Sequence, residues 1–165
     1  MSNLSAPSRH VIVARVDNNP GVVSRISGLF TRRGYNIESL VTGVTENPDV
    51  YQLVIAVIAA EEELVLMIHQ LGRIMEVIDV FAANDRPCVT RELMLMQIAC
   101  PPEKRADIIK IADAMHFEIA GVGEASLVLQ VTGDEARLSV ATRTFEHLGL
   151  LHTVRSGALT IEQEN

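Results

Sequence analysis

The sequence predicts an α+β protein built from two ferredoxin-like β-α-β-β-α-β domains. Three observations predict it. Over residues 9–84, stretches rich in Val, Ile and Thr alternate with stretches of helical apolar period, in the order strand, helix, strand, strand, helix, strand. The same order returns over residues 90–163, as a repeat of pattern without visible identity between the halves. Between them, Asn84-Asp85-Arg86-Pro87 breaks the last strand of the first half and sets the boundary before Thr90.

The elements follow in order. Residues Arg9 to Val16 read as a first strand, apolar on both faces, as suits an inner strand with helices on one side. A helix is predicted from Pro20 to Arg33. Asn19 is its N-cap and Pro20 its first residue, Val22, Val23, Ile26, Leu29 and Phe30 form its inner face, and Gly34 stops it. Asn36 to Thr45 and Val50 to Ala59 make a hairpin across Glu46-Asn47-Pro48-Asp49. Three acids, Glu61-Glu62-Glu63, suit the positive end of the next helix, whose stripe runs through Leu64, Met67, Ile68, Leu71, Ile74 and Met75. Val77 to Ala82 closes the first domain.

In the second half, Leu93 to Ala99 is a strand, and Pro101-Pro102 opens a helix carrying Ile108, Ile111, Ala112 and Met115. Phe117 to Val122 and Ser126 to Thr132 form a hairpin around Gly123-Glu124. Thr132 with Glu135 is read as a capping box for a helix with Leu138, Ala141, Phe145 and Leu148 inside. Gly149 stops that helix, and Leu150 to Ile161 supplies the last strand, bent at Ser156-Gly157.

Composition narrows the function classes. The 165 residues carry a net charge of −7 with two Tyr, four Phe and no Trp, which argues against nucleic-acid binding. No apolar run approaches the roughly 20 residues of a membrane helix, and Met1 to Ser8 lacks a signal-peptide core, so a cytoplasmic protein is expected. Cys88 and Cys100 stand apart as reduced thiols, and the histidines share no metal-ligand spacing. A G-x-S-x-G elbow, a phosphate loop and a dinucleotide fingerprint are all absent. Glu38 and Glu46 could face one another, but nothing marks them as an acid–base pair. No catalytic and no metal residues are assigned, and a binding or regulatory protein is expected.

One stretch suits a ligand. At Asn18-Asn19-Pro20-Gly21-Val22 the helix N-terminus offers the Gly21 and Val22 amides with no intrahelical partner, and Gly21 lets a carboxylate or phosphate come close. Read by itself, the stretch is a plain helix start before it is a ligand site. Taken with Arg32-Arg33-Gly34-Tyr35-Asn36-Ile37-Glu38-Ser39-Leu40, Arg91-Glu92-Leu93-Met94-Leu95 and Arg155-Ser156-Gly157, the chain resembles the small regulatory subunit of acetolactate synthase, also called acetohydroxyacid synthase. The resemblance spans roughly Arg9 to Ile161.

It implies an N-terminal ACT domain over residues 9–84 that dimerises and binds a branched-chain amino acid, usually valine, at the dimer interface. It also implies a similar C-terminal domain over residues 90–163. Such subunits activate a separate catalytic subunit and transmit feedback inhibition to it. Thiamine diphosphate, magnesium and FAD belong to that partner, and none to this chain. The family's ligand contacts carry over to Asn18, Gly21, Val22, Asn36 and Ile37, where Asn18 and Asn36 offer neutral oxygens and donors for an amino acid. Asn36 has a second reading, as a partner for backbone after the Gly34 turn. Tyr51-Gln52-Leu53 departs from the family's more polar third strand. A stand-alone amino-acid sensor acting on another partner is the alternative.

Overall fold

The computed structural model describes residues 5–163. They form two compact units, residues 5–89 together with 157–163, and residues 90–156. The first unit contains β1 (Ser8–Asp17), α1 (Val22–Arg33), β2 (Ile37–Val44), β3 (Val50–Ala59), α2 (Glu61–Leu71) and β4 (Val77–Ala82). Its strands pair antiparallel in the order β2-β3-β1-β4.

Alternation along the strands sets the core. Ile12, Ala14 and Val16 of β1 and Leu53, Ile55 and Val57 of β3 point to the side where α1 brings Ile26 and Phe30 and α2 brings Leu64, Met67 and Leu71. Glu63 reaches back to accept the Ala60 N–H at 3.0 Å and fixes the start of α2. That helix ends at Leu71, sooner than the apolar stripe suggests, so Ile74 packs on the core from a turn. Met75 is no stripe residue, being 94% exposed. His10 is buried, its Nε2 lying 3.2 Å from Ala59 O and 3.0 Å from Ser8 Oγ.

The second unit holds β5 (Cys88–Ala99), which runs into it from the first, then α3 (Pro102–Ala114), β6 (Glu118–Val122), β7 (Ser126–Gly133), α4 (Glu135–Glu146) and β8 (Leu150–Arg155). The strand order β6-β7-β5-β8 repeats that of the first sheet. Met94, Met96 and Ile98 meet Ile108, Ala112, Leu138, Ala141 and Phe145. Two such units, each a β-α-β-β-α-β pattern with helices on one face of an antiparallel sheet, give the α+β ferredoxin-like class.

Two local expectations change. The cap of α4 is Asp134, whose carboxylate accepts the Arg137 N–H at 2.9 Å, and no Thr132–Glu135 box forms. Glu135 instead bonds Arg155 at 2.5 Å, and Arg155 also grips both oxygens of Glu92 at 3.0 and 2.6 Å. Glu92 is 5% exposed, so a buried carboxylate on β5 is satisfied by the strand beside it. Strand β5 therefore begins at Cys88 and not at Leu93.

The last strand, expected as one, is two. After β8 the chain turns at Gly157 and returns to the first unit as β9 (Leu159–Glu162), which pairs with β5. The reason lies in the helix-free face of the first sheet, where Val13, Val54, Ala56 and Phe81 need cover. Residues 159–162 face Val41, Val54 and Phe81, and Gln52 Nε2 donates to Thr160 O at 2.5 Å. Arg86 fastens the end of this segment. It bonds Asp79 at 2.6 and 3.0 Å, stacks on Phe81 at 3.9 Å and reaches Glu162 at 3.3 Å, while Gln163 N–H donates to Pro87 O at 2.8 Å. Hydrogen bonds from Arg86 hold the Asp79 carboxyl below its ordinary range. Residues 157–163, assigned from sequence to the second domain, thus complete the first. No helix of the described residues is long and apolar enough to cross a membrane.

Candidate binding site at the first turn of α1

Asp17 ends β1 and the chain must reverse within a few residues to lay α1 on the sheet. Asn19-Pro20-Gly21-Val22 does this as a β-turn: the Val22 N–H donates to Asn19 O at 3.3 Å, and Gly21 sits at φ 85, ψ −2. Proline second and left-handed glycine third is the type II pattern. The helix therefore starts at Val22 with Gly21 as its cap residue, and Asn19 makes no side-chain cap. Proline-glycine serves the turn, which is why the sequence placed the helix start two residues early.

This correction moves the free amides. Val22 N–H is used by the turn, and Arg25 N–H is the first to find a helical acceptor, Gly21 O at 3.0 Å. The amides of Val23 and Ser24 between them have no acceptor among the described residues. They open, with the positive end of the helix, into a depression of about 340 Å³ lined by residues 18–24 and Tyr51. No Lys or Arg lines it. Arg25 is turned to Glu76 at 2.5 Å. The positive potential here is a backbone property, of a strength suited to a single carboxylate.

Asn18 is part structural. Its Nδ2 donates to Pro48 O at 3.0 Å and its N–H to Asp49 O at 2.8 Å, tying the turn to the β2–β3 loop. That leaves Oδ1 at the pocket as an acceptor. Tyr51, half-buried on the helix side of β3, forms the pocket's wall and was missed as a site residue. Its signal was available, because β3 alternation pairs Tyr51 with Val16, directly before this turn.

The structure brings Asn18, Gly21 and Val22 together. It places Asn36 and Ile37 elsewhere. They follow Gly34 at the far end of α1, a helix of twelve residues and about 18 Å. Asn36 is exposed, and Ile37 opens β2, an edge strand of the first sheet.

Other polar clusters have structural partners. Glu38 bonds Arg9 at 2.6 Å and Glu46 lies 3.5 Å from Arg15, so these two acids do not form a pair. No group of three or more His, Cys, Asp and Glu side chains among the described residues is placed to hold a metal ion. Cys100 is buried, and burial pushes the Cys88 thiol up.

Residues 12–79 match the family described as AHAS small subunit-like ACT domain, and residues 91–164 match the family described as small subunit of acetolactate synthase. The chain is 35% identical to an acetolactate synthase small subunit of Archaeoglobus fulgidus, over 95% of this chain and 98% of that one. It is 30% identical to the corresponding small subunit of Mycobacterium bovis, over 96% of this chain and 94% of that one. In fold it resembles the crystal structure of the acetolactate synthase small subunit from Thermotoga maritima, with a TM-score of 0.78 at 24% identity, covering 96% of this chain and 99% of the other.

Proposed function

We propose that this chain, which belongs to the acetolactate synthase small-subunit family and is thus a regulatory partner of a separate catalytic subunit, activates that subunit and carries feedback inhibition by valine to it. The observation that carries the reading is the turn at Gly21, where two unsatisfied amides face a pocket without cationic side chains. Valine needs an anion site for its carboxylate, oxygens for its ammonium and an apolar wall for its side chain. The amides of Val23 and Ser24, Oδ1 of Asn18, and Val22 with Tyr51 supply these three. The effector then biases the enzyme only through its different affinity for the two states. Thiamine diphosphate, magnesium and FAD are assigned to the catalytic partner, and the complex to the cytoplasm.

Asn36 and Ile37 join the site through a second copy. They lie at the outer edge of the first sheet, and an exposed edge strand is a place where two copies meet about a twofold axis. Sedimentation at micromolar concentration should therefore give a dimer, and a monomer with and without valine would count against this half of the proposal.

The regulatory reading is tested by co-purification. The chain alone should form no acetolactate from pyruvate and thiamine diphosphate. Added to its catalytic subunit it should raise the rate, and valine should then lower it. Retention of valine binding without any effect on the synthase would favour the stand-alone sensor.

A further inference from the structure

Arg32 and Arg33 end α1, and Arg73 follows the end of α2. With Leu29 and Gln70 they surround a depression of about 260 Å³ on the helix side of the first unit. Their pairing sets them apart from most arginines of the chain. Arg9, Arg15, Arg25, Arg86 and Arg155 each lie within 4.0 Å of a carboxylate. Arg105 and Arg137 donate to backbone carbonyls. Arg32, Arg33 and Arg73 have no carboxylate partner among the described residues, in a chain with 21 acids and 14 bases.

Two helix C-termini account for part of this. Each carries roughly −0.5 charge, about −1 together, against three guanidinium charges, so about +2 remains uncompensated. Three like charges held around one depression repel each other unless an anion neutralises them. The patch also has the sign opposite to that of the whole molecule.

We infer that this patch is a docking surface for an acidic segment of the catalytic subunit. The inference rests on the regulatory reading above. A protein is the occupant that the surroundings favour. No aromatic ring lines the depression to stack a nucleotide base. Along α2, Leu66 and Gln70 fall at i and i+4 on one face, Leu66 is 43% exposed, and Arg73 follows just past the helix end. Arginine is among the residues enriched at the centres of protein–protein interfaces. Arg32, Arg33 and Arg73 are none of the residues assigned to the effector, so docking and effector binding are separable by mutation.

The experiment uses the full chain and its catalytic subunit. Arg32→Gln/Arg33→Gln/Arg73→Gln should keep the wild-type melting temperature and valine affinity, bind the catalytic subunit at least tenfold more weakly, and show a shallower salt dependence. Should the triple variant melt early, Arg73→Gln, outside both helices, is read in its place and should weaken binding alone. Wild-type affinity and salt dependence in a folded variant would overturn the inference. So would saturable pyrophosphate binding that the variant loses while subunit affinity stays unchanged, since a small phosphate ligand would then be the occupant. If the wild-type chain does not bind the catalytic subunit, the regulatory reading itself fails and this occupant with it.

Discussion

Gly21→Asp abolishes inhibition by valine and leaves activation of the catalytic subunit largely intact. Gly21 caps α1 at φ 85, and a Cβ built there meets no heavy atom within 4 Å. The new carboxylate has room to lie over the amides of Val23 and Ser24, where an acidic group is itself favoured. It would occupy the anion site and repel the ligand's carboxylate. The backbone cost is bounded, because Asp and Asn populate the left-handed region more readily than other side chains, and the general penalty is about 1–2 kcal/mol. Gly21→Asn is therefore the control, with the same backbone conformation and no charge.

Wild-type protein at about 100 times the dissociation constant of valine gains about 2.7 kcal/mol. Its melting temperature should rise by several degrees. The Asn variant should keep part of that shift and the Asp variant none. Normal valine binding by Gly21→Asp in calorimetry would remove the helix N-terminus from the site. Loss of activation together with inhibition would assign the turn to folding or docking. A shift with leucine or isoleucine but not valine would change the effector and leave the site standing.

The strands and helices were legible because each carries its own period, and β3 and β4 fall on the residues the pattern assigns. What was not legible depends on partners far along the chain. Glu92 interrupts an apolar strand, and Arg155, 63 residues later, grips its buried carboxylate. The same arginine takes Glu135 away from a capping box that local sequence supports equally well. At the site, Asn19-Pro20-Gly21 satisfies the rules for a helix start and for a type II turn, and the φ of Gly21 decides between them. Asn36 and Ile37 could not be placed against Gly21 from spacing, since one helix length separates them within the chain. The return of residues 157–163 to the first unit is also non-local, driven by an apolar sheet face that has no helix over it.

That return hinges on one residue. Gly157→Ala should destabilise the protein by roughly 2–5 kcal/mol, from two additive causes. Gly157 sits at φ 83, where a side chain costs about 1–2 kcal/mol. An added Cβ would also lie 2.5 Å from Val41 Cγ2, 3.2 Å from Ser39 Cβ and 3.3 Å from Ser39 Oγ. Val41 is β-branched on a strand and has little freedom to turn aside, so the overlap must be relieved by moving residues 157–163 or β2. Overpacking of this kind costs about 1–3 kcal/mol. Gly34→Ala isolates the first cause, since Gly34 also has positive φ, 73°, but nothing lies within 4 Å of its Cβ position. The two variants should therefore differ by the packing cost, read as a melting difference of roughly 2–4 °C per kcal/mol for a chain of this size. Amide exchange adds a local readout, because Gln163 N–H, bonded to Pro87 O, should lose protection in Gly157→Ala and keep it in Gly34→Ala. Equal melting of the two variants would mean that residues 157–163 do not press on β2, and that the helix-free face of the first sheet is covered in some other way.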